Sequence, residues 1–358
     1  MAEPSSVSPA RSYNSVARGT ALSLGLLVAL VAAIVLSAMS GQLAISPAEI
    51  GGSLLRSIGI RTDWAPADPI IESTLWFVRF PRIVMGLAVG AALAVAGAVM
   101  QAIFGNPLAE PGVVGVSSGA ALGASAAIVF GVTALGSWSI ALFAFAGGLL
   151  ATLLVYFVSR ANGRTEVVTL LLTGIAINAF AGAGLAFLLF AGDSASREQI
   201  VFWQLGSLGG SLWPEVAIVG IVTVLGLVVA LLLAGRFDLL ALGERSARHL
   251  GVNVEALRIG SIVLVALLTG VAVAFCGIIA FVGLVIPHVI RMIIGPAHGP
   301  LILASAVGGG ALLALADLLA RTVVGGADLP IGMLTSLIGG PFFFYLLYRQ
   351  RGRSGGWA

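Results

Sequence analysis

Ten long apolar stretches are the feature of this sequence that most constrains its fold. They lie at residues 21–39, 76–104, 112–131, 138–158, 167–191, 216–234, 257–277, 281–294, 301–320 and 331–348. A transmembrane helix needs about 20 predominantly apolar residues, and all of these stretches except the eighth come close to that length. Only 9% of the 358 residues are charged, whereas an ordinary soluble domain carries about 25%. The sequence therefore predicts an all-α polytopic membrane protein with about ten transmembrane helices.

The ends of the chain are polar and predict two short tails. Residues 1–20 contain no apolar run and predict a disordered cytoplasmic tail, and residues 349–358 predict a second cytoplasmic tail. Residues 21–348 then form a single transmembrane domain. Small residues follow the first apolar stretch, as they do in a cleaved signal peptide, but this stretch is longer than a usual signal core. A retained first helix is the favoured interpretation.

The arginines indicate how the helices are oriented. With both termini in the cytoplasm, twelve of the eighteen basic residues lie on the inner side and six lie on the outer side. This distribution obeys the positive-inside rule. The six outer residues are Arg56, Arg61, Arg79, Arg82, Arg197 and Arg321.

The residue types that are missing exclude several kinds of chemistry. All eighteen basic residues are arginines, so the sequence can build neither a Walker A phosphate loop nor a lysine Schiff base. Cys276 is the only cysteine, which excludes disulfides within the chain and CxxC redox pairs. Three scattered histidines do not suggest a zinc site. We expect no catalytic residue, no metal site and no bound cofactor.

Three segments carry most of the remaining information. Residues 79–123 contain glycines at every fourth position (Gly115, Gly119 and Gly123), a stripe typical of close helix packing in lipid. Residues 236–258 form the longest charged loop, in which glycines bracket a predicted two-turn helix, ERSARHL. Near the outer end of the ninth stretch, Asp317 and Arg321 are four residues apart and can pair on one helix face.

Several motifs in a fixed order resemble the FecCD permease family of ATP-binding-cassette (ABC) importers. They are R-x-P-R (79–82), GAALAVAGAVMQ (90–101), NPLAEPGVVGVSSGA (106–120), LALGERSARHLGV (240–252), FVGLVIPHVIR (281–291), AD-x-x-AR (316–321) and LPIGMLTSLIGGPFF (329–343). The resemblance covers the chain from about residue 70 to residue 348. It implies the fold of the vitamin B12 permease (type II importer) and a multi-pass location in the bacterial plasma membrane. Residues 21–348 would then be the permease domain, with 236–258 as its cytoplasmic coupling loop.

The resemblance also implies partners and residue roles. The chain would pair with a second copy of itself, with two ATPase subunits and with an extracytoplasmic solute-binding protein. ATP and magnesium would be used by the ATPase, so this chain would be a transport subunit and not an enzyme. The arginines Arg79, Arg82 and Arg321 would meet acidic residues of the binding protein. Coupling to the ATPase would involve Leu242, Gly243, Glu244, Arg245, Ala247, Arg248, Leu250 and Gly251.

The same resemblance implies a gate, and comparison with the family pattern shows one difference in sequence. The inner constriction of the pathway would lie near Glu166, Val167 and Val168. The two valines would make this constriction hydrophobic. The family often has Asp-His-Arg after the eighth span, whereas this chain has Ala297-His298-Gly299. This turn therefore lacks the acidic residue and the arginine that could make a charged contact with the ATPase.

The cargo is inferred from the segment 191–213 and from the ending of the chain, which look most like haem-importing members. Arg197 would be a contact for haem propionates at the mouth of the pathway. A ferric siderophore or vitamin B12 remains an alternative cargo. An ion-coupled secondary transporter is a less favoured alternative, because it needs ionisable groups near the membrane midplane and only Asp317 comes near. An intramembrane enzyme is disfavoured because the spans contain no paired catalytic groups.

Overall fold

Helices form almost all of the fold, and the all-α prediction is confirmed. The computed structural model describes residues 9–136, 138–161, 164–324 and 327–351. Over these residues the α-helices are α1 Pro9–Met39, α2 Pro47–Ser57, α3 Pro69–Thr74, α4 Phe80–Phe104, α5 Val116–Val129, α6 Trp138–Val158, α7 Val167–Ala191, α8 Ser194–Leu205, α9 Trp213–Leu240, α10 Glu244–His249, α11 Val254–Cys276, α12 Val282–Ile294, α13 His298–Thr322 and α14 Ile331–Arg351.

Four shorter elements join these helices. A π-helical turn, Leu75–Arg79, makes α3 and α4 continuous, and a 3₁₀ turn, Pro111–Val114, precedes α5. Two-residue strands β1 (Arg160–Ala161) and β2 (Arg164–Thr165) pair antiparallel between α6 and α7.

Each of the ten predicted apolar stretches is a helix. Within the described residues, eight helices are long and apolar enough to cross a membrane, and α5 and α12 are shorter apolar helices. The prediction that the eighth stretch is too short is confirmed, because α12 has 13 residues and spans only about 20 Å at 1.5 Å per residue. The third stretch is also shorter than predicted, since its first residues form the 3₁₀ turn and α5 begins only after Gly115, at a φ of 81°.

The first helix starts earlier than the sequence suggested. We expected a disordered tail over residues 1–20, but α1 begins at Pro9, so residues 9–20 continue the helix. No proline interrupts this segment after Pro9, and Gly19 is its only glycine, so nothing stops the helix from extending beyond the apolar part. Residues 1–8 and 352–358 lie outside the described parts of the chain.

Helix α4 lies at the centre of the bundle and contacts α9, α11, α12 and α13. Its glycines let these neighbours approach at backbone distance. A Cβ built on Gly90 would lie 2.2 Å from the carbonyl oxygen of Gly309, and one on Gly97 would lie 1.8 Å from that of Gly283. The stripe on α5 acts in the same way, since Gly119 and Gly123 lie against backbone carbonyls of α6. The structural role of these glycines is therefore to allow helices to pack closely. Small residues commonly have this role in lipid.

The connection from α11 to α12 is irregular and buried. Gly277 and Phe281 both have left-handed backbones, with φ of 70° and 67°. The carbonyl of Cys276 accepts a hydrogen bond from the Ser207 amide at 2.8 Å. The ring of Phe281 lies against α14 at Gly339, where a Cβ would be 2.3 Å from it. Such non-helical backbone is tolerated inside a membrane protein because other helices cover it.

We predict that Gly97→Ala destabilises the fold, because the new methyl group would overlap the Gly283 carbonyl. Overpacking of this kind costs about 1–3 kcal/mol. A thermal unfolding scan in detergent should show a lower melting temperature. The control is Gly220→Ala on α9, where nothing lies within 4 Å of the new Cβ. Equal melting temperatures for the two variants would contradict the close crossing of α4 and α12.

Candidate functional site

Arg79 is buried at the start of α4 and is bonded to the end of α1. Its guanidinium donates to the backbone carbonyls of Ala38 and Leu43. The side chain is almost completely buried, and Gly41 lies directly over it. Arg79 therefore ties the end of α1 to α4. We refer to this end of the bundle, which holds Arg79, Arg82 and Arg321, as the arginine end.

Arg82 lies between two carboxylates. Its Nε donates to Asp317 on α13 at 2.9 and 3.1 Å, and its Nη2 is 2.9 Å from the same carboxylate. Its Nη1 donates to Asp328 at 2.7 Å. The side-chain exposures are 14% for Arg82, 4% for Asp317 and 50% for Asp328. Bidentate pairing with Asp317 fixes the guanidinium, and Asp328 occupies its exposed side.

Arg321 completes the cluster from α13. It donates to the carbonyls of Ser37 and Ser40 at 2.6 Å each, and its Nε lies 3.5 Å from Asp317. The predicted pairing of Asp317 with Arg321 is therefore present, but Asp317 holds Arg82 at shorter distances. Sequence spacing could not identify that partner, because it is 235 residues away.

The three arginines differ in how an outside partner could reach them. Arg79 and Arg321 direct their guanidinium groups at carbonyls in the last turn of α1 and just after it. Cations are favourable there because this end of the helix dipole is negative. Arg82 has a largely buried side chain whose exposed side faces Asp328. A docking role for these residues stays a prediction, and the geometry makes Arg82 the most reachable of the three.

A cavity of about 430 Å³ lies inside the bundle, and the sequence did not predict it. It is bounded by the connector before α5 and by α5, α7, α8, α11 and the irregular residues 278–281. Its wall is mostly apolar with a group of polar side chains. These are Glu110, Ser117, Ser118, Asn178, Gln204 and Thr269. The residues were visible in the sequence, but which helix faces meet cannot be read from an apolar pattern.

The polar side chains of the cavity are partly bonded to each other. Ser118 donates to Asn178 at 2.6 Å, and Asn178 donates to the Gly112 carbonyl at 3.5 Å. The carboxylate of Glu110 lies next to Gly112. Burial raises the pKa of Glu110, which is in the connector between α4 and α5. The protonated form of this carboxyl is therefore favoured more than in water.

The segment with the predicted gate residues lies at the start of α7. Glu166 precedes the helix and accepts a hydrogen bond from Thr169 at 3.1 Å. Val168 is exposed in the single chain, and the side chain of Val167 is outside the part that the structure describes. The closing of a pathway by these residues stays a prediction.

The predicted short helix of the charged loop is present as α10, Glu244–His249. It ends in a Schellman motif, in which the Val252 amide donates to the Ala247 carbonyl at 2.9 Å and the Gly251 amide to the Arg248 carbonyl at 3.0 Å. Gly251 has a φ of 86°, which favours glycine. The glycine stop was therefore predicted correctly.

The surface of α10 leaves several predicted coupling residues free to meet a partner. Ala247 is buried against the bundle. Residues on its other faces and in its flanking turns are exposed or partly exposed, namely Leu242, Gly243, Glu244, Arg245, Arg248, Leu250 and Gly251.

Three polar side-chain contacts fasten this end of the bundle. Glu244 accepts from Arg248 at 3.1 Å and from the buried Arg258 of α11 at 2.5 Å. His298 contacts Asp238 of α9 through its backbone amide at 2.9 Å and its ring Nδ1 at 2.7 Å. The sequence Ala297-His298-Gly299 differs from the family pattern at this turn. Its histidine joins α13 to α9.

Arg197 lies on α8, where its Nε donates to the Leu189 carbonyl at 2.9 Å. It therefore caps the end of α7, while its side chain remains exposed. A contact with cargo stays a prediction for this residue.

Comparison with known proteins gives consistent matches over most of the chain. A model of the FecCD transport family matches residues 29–349. The hemin transport system permease protein HmuU of Yersinia pestis is 41% identical over 304 residues, which cover 84% of this chain and 91% of that protein. The cobalamin import system permease protein BtuC of Halobacterium salinarum is 43% identical over 271 residues, covering 75% and 72%. A solved inward-facing conformation of a metal-chelate type ABC transporter has a TM-score of 0.79 at 33% identity, covering 91% of this chain and 98% of that one.

We predict that Asp317→Asn lowers the stability of the fold, because it removes the buried carboxylate shared by Arg82 and Arg321. Leaving a buried charge without its partner costs about 3–5 kcal/mol. Asp328→Asn is the matched control, since an exposed ion pair contributes about 1 kcal/mol or less. Thermal unfolding in detergent should separate the two variants clearly. A melting temperature for Asp317→Asn as high as that of the control would show that Asp317 does not hold the cluster together.

Proposed function

Because the chain belongs to the FecCD transport family, we propose that it carries haem from an extracytoplasmic binding protein to the cytoplasm. Its role as the permease subunit of an ABC importer follows from family membership and from the ABC transporter fold. The chain is accordingly a multi-pass membrane protein. The cargo, the partner chains and the residue roles are our proposals.

One observation carries the choice of haem. The hemin permease of Yersinia pestis matches 84% of this chain and 91% of its own length. The cobalamin permease of Halobacterium salinarum has a similar identity but matches only 75% and 72%, and a vitamin B12 permease of Klebsiella pneumoniae matches 84% and 91% at the lower identity of 38%. The hemin permease therefore combines the higher identity with the wider coverage. Vitamin B12 is therefore the second candidate cargo, and a ferric siderophore is the third.

Two copies of the chain would form the pathway, and two ATPase subunits would drive it. This sequence has no lysine for a Walker A loop, so ATP and magnesium would be bound and used on the ATPase. Transport would proceed by alternating access. Both termini would lie in the cytoplasm, which places the arginine end outside and α10 inside.

A binding protein would dock at the arginine end. Carboxylates on its two lobes would meet the two copies of Arg82, while Arg79 and Arg321 hold the end of α1 in place. Arginine suits this role because its planar group binds carboxylates in two-point contacts.

At the inner end, α10 would fit a groove of the ATPase. The contact between Glu244 and Arg258 would carry motion of α10 into α11, which borders the internal cavity through Thr269. Glu166, Val167 and Val168 would form a hydrophobic inner gate that closes by excluding water.

The cargo is tested by reconstitution. The chain and its ATPase subunits are placed in proteoliposomes, and accumulation is measured with binding proteins loaded with haem, cobalamin or a ferric siderophore. We expect ATP-dependent accumulation of haem only, with the same vesicles without ATP as the control. Accumulation of cobalamin or of the siderophore instead of haem would overturn the choice of cargo. An active ATPase with no accumulation in any arm would overturn all three cargo assignments.

Gly251 provides a test of coupling. Gly251→Val should abolish ATP-driven uptake, because valine is strained at a φ of 86° and misplaces the end of α10. Gly251→Asn is the control and should keep uptake, since asparagine tolerates this conformation. Binding-protein docking should be normal in both variants. Full uptake by Gly251→Val would remove α10 from the coupling mechanism.

A further inference from the structure

Asp328 occupies the exposed side of Arg82, where a carboxylate of a partner would have to bind. We infer that Asp328 is an internal substitute for that carboxylate and that an acidic partner surface displaces it when it docks. This inference rests on the proposed docking at Arg82. It adds a competing residue on this chain and a segment that is released by docking.

The contacts of Arg82 leave only one side open to exchange. Its Nε and Nη2 are held by Asp317, whose side chain is 4% exposed and cannot be reached from outside. Its Nη1 is held by Asp328, whose side chain is 50% exposed. Gly209 is the neighbour on this side, with a Cβ position 3.9 Å from Nη1. A partner carboxylate would therefore reach Nη1 and meet Asp328 there.

The other two arginines are both packed against Gly41. A Cβ on Gly41 would lie 3.0 Å from Nη2 of Arg79 and 3.6 Å from Nη1 of Arg321. Both guanidinium groups are already bonded to carbonyls in the last turn of α1 and in the residues just after it. Exchange of a carboxylate is therefore confined to Arg82.

Charge favours exchange over simple addition. Three arginines share two carboxylates in the cluster, and replacing Asp328 by a partner carboxylate leaves this ratio unchanged. If both carboxylates stayed on Nη1, two like charges would lie within a few ångströms of each other and repel. The electrostatic cost of docking is therefore lowest when Asp328 leaves.

Release of Asp328 would loosen residues 327–331, which lead into α14. The next two tethers of this segment are the Leu329 amide, which donates to the Ala320 carbonyl at 2.8 Å, and the Ile331 amide, which donates to the Gly206 carbonyl at 3.1 Å. Ile331 begins α14, and Gly206 ends α8. Docking would thus reach the start of α14 and the end of α8, which borders the cavity through Gln204.

The first test measures docking kinetics of the reconstituted importer with its binding protein by surface plasmon resonance at low salt. Asp328→Asn should speed association by about threefold, because the internal competitor loses its charge. Asp63→Asn is the matched control: it makes the same charge change on an exposed residue between α2 and α3 that makes no ion pair with the cluster. The gain should shrink at high salt, since exposed charges are screened.

A double-mutant cycle separates this inference from the docking proposal. Arg82→Ala should weaken docking at least tenfold, and adding Asp328→Asn to it should give no further gain. If Arg82→Ala docks normally, the docking proposal itself fails. If Arg82→Ala weakens docking but Asp328→Asn slows it, leaves it unchanged, or acts equally in both backgrounds, the docking proposal stands and the exchange is wrong.

The second test follows the segment directly by hydrogen exchange in the assembled importer. Peptides covering residues 327–334 should exchange faster once the binding protein is bound. In Asp328→Asn they should exchange fast before it is added. Unchanged or slower exchange on docking would overturn the release of the segment.

Discussion

The structure depends on backbone-to-backbone contact between helices that a side chain would prevent. Lipid offers helices no hydrophobic gain from associating, so close packing must supply the attraction. Helix α4 meets α13 at Gly90 and Gly309, and it meets α12 at Gly97 and Gly283. These crossings place the start of α4 beside the end of α13. The pairing of Arg82 with Asp317 is possible only because the two helices are already this close.

Hydrogen bonds and ion pairs then fix the two ends of this packed bundle in different ways. At the arginine end, the guanidinium groups of Arg79 and Arg321 satisfy carbonyls in the last turn of α1, which have no partners within their own helix. At the α10 end, Arg258 holds Glu244 and His298 holds Asp238. The first of these contacts joins the consecutive helices α10 and α11, and the second joins α13 to α9, which is 60 residues away. The apolar middle of the bundle determines which helices are neighbours, and the ends determine how they are aligned.

Most of the fold could be predicted from the sequence because it depends on long apolar stretches. Ten such stretches predicted ten helices, and the glycine after ERSARHL predicted the end of α10. Helices α2, α3 and α8 were not predicted, because they are short and carry polar residues, which removes the signal of length and hydropathy. The partners of Arg82 and the polar wall around Asn178 could not be predicted either. Both depend on which faces meet, and in an apolar helix all faces look alike in sequence.

The left-handed backbone of Phe281 links two spans that are not neighbours in sequence. A bulky residue in this conformation costs about 1–3 kcal/mol and persists only where its surroundings hold it. What holds it here includes contact with α14 at Gly339, a position that has no side chain. If α14 moved away from α12, the ring would lose this contact, and the peptide groups before α12 could relax to an ordinary conformation. The stored strain therefore lowers the energy needed to separate these helices, so that the irregular connection and the position of α14 change together.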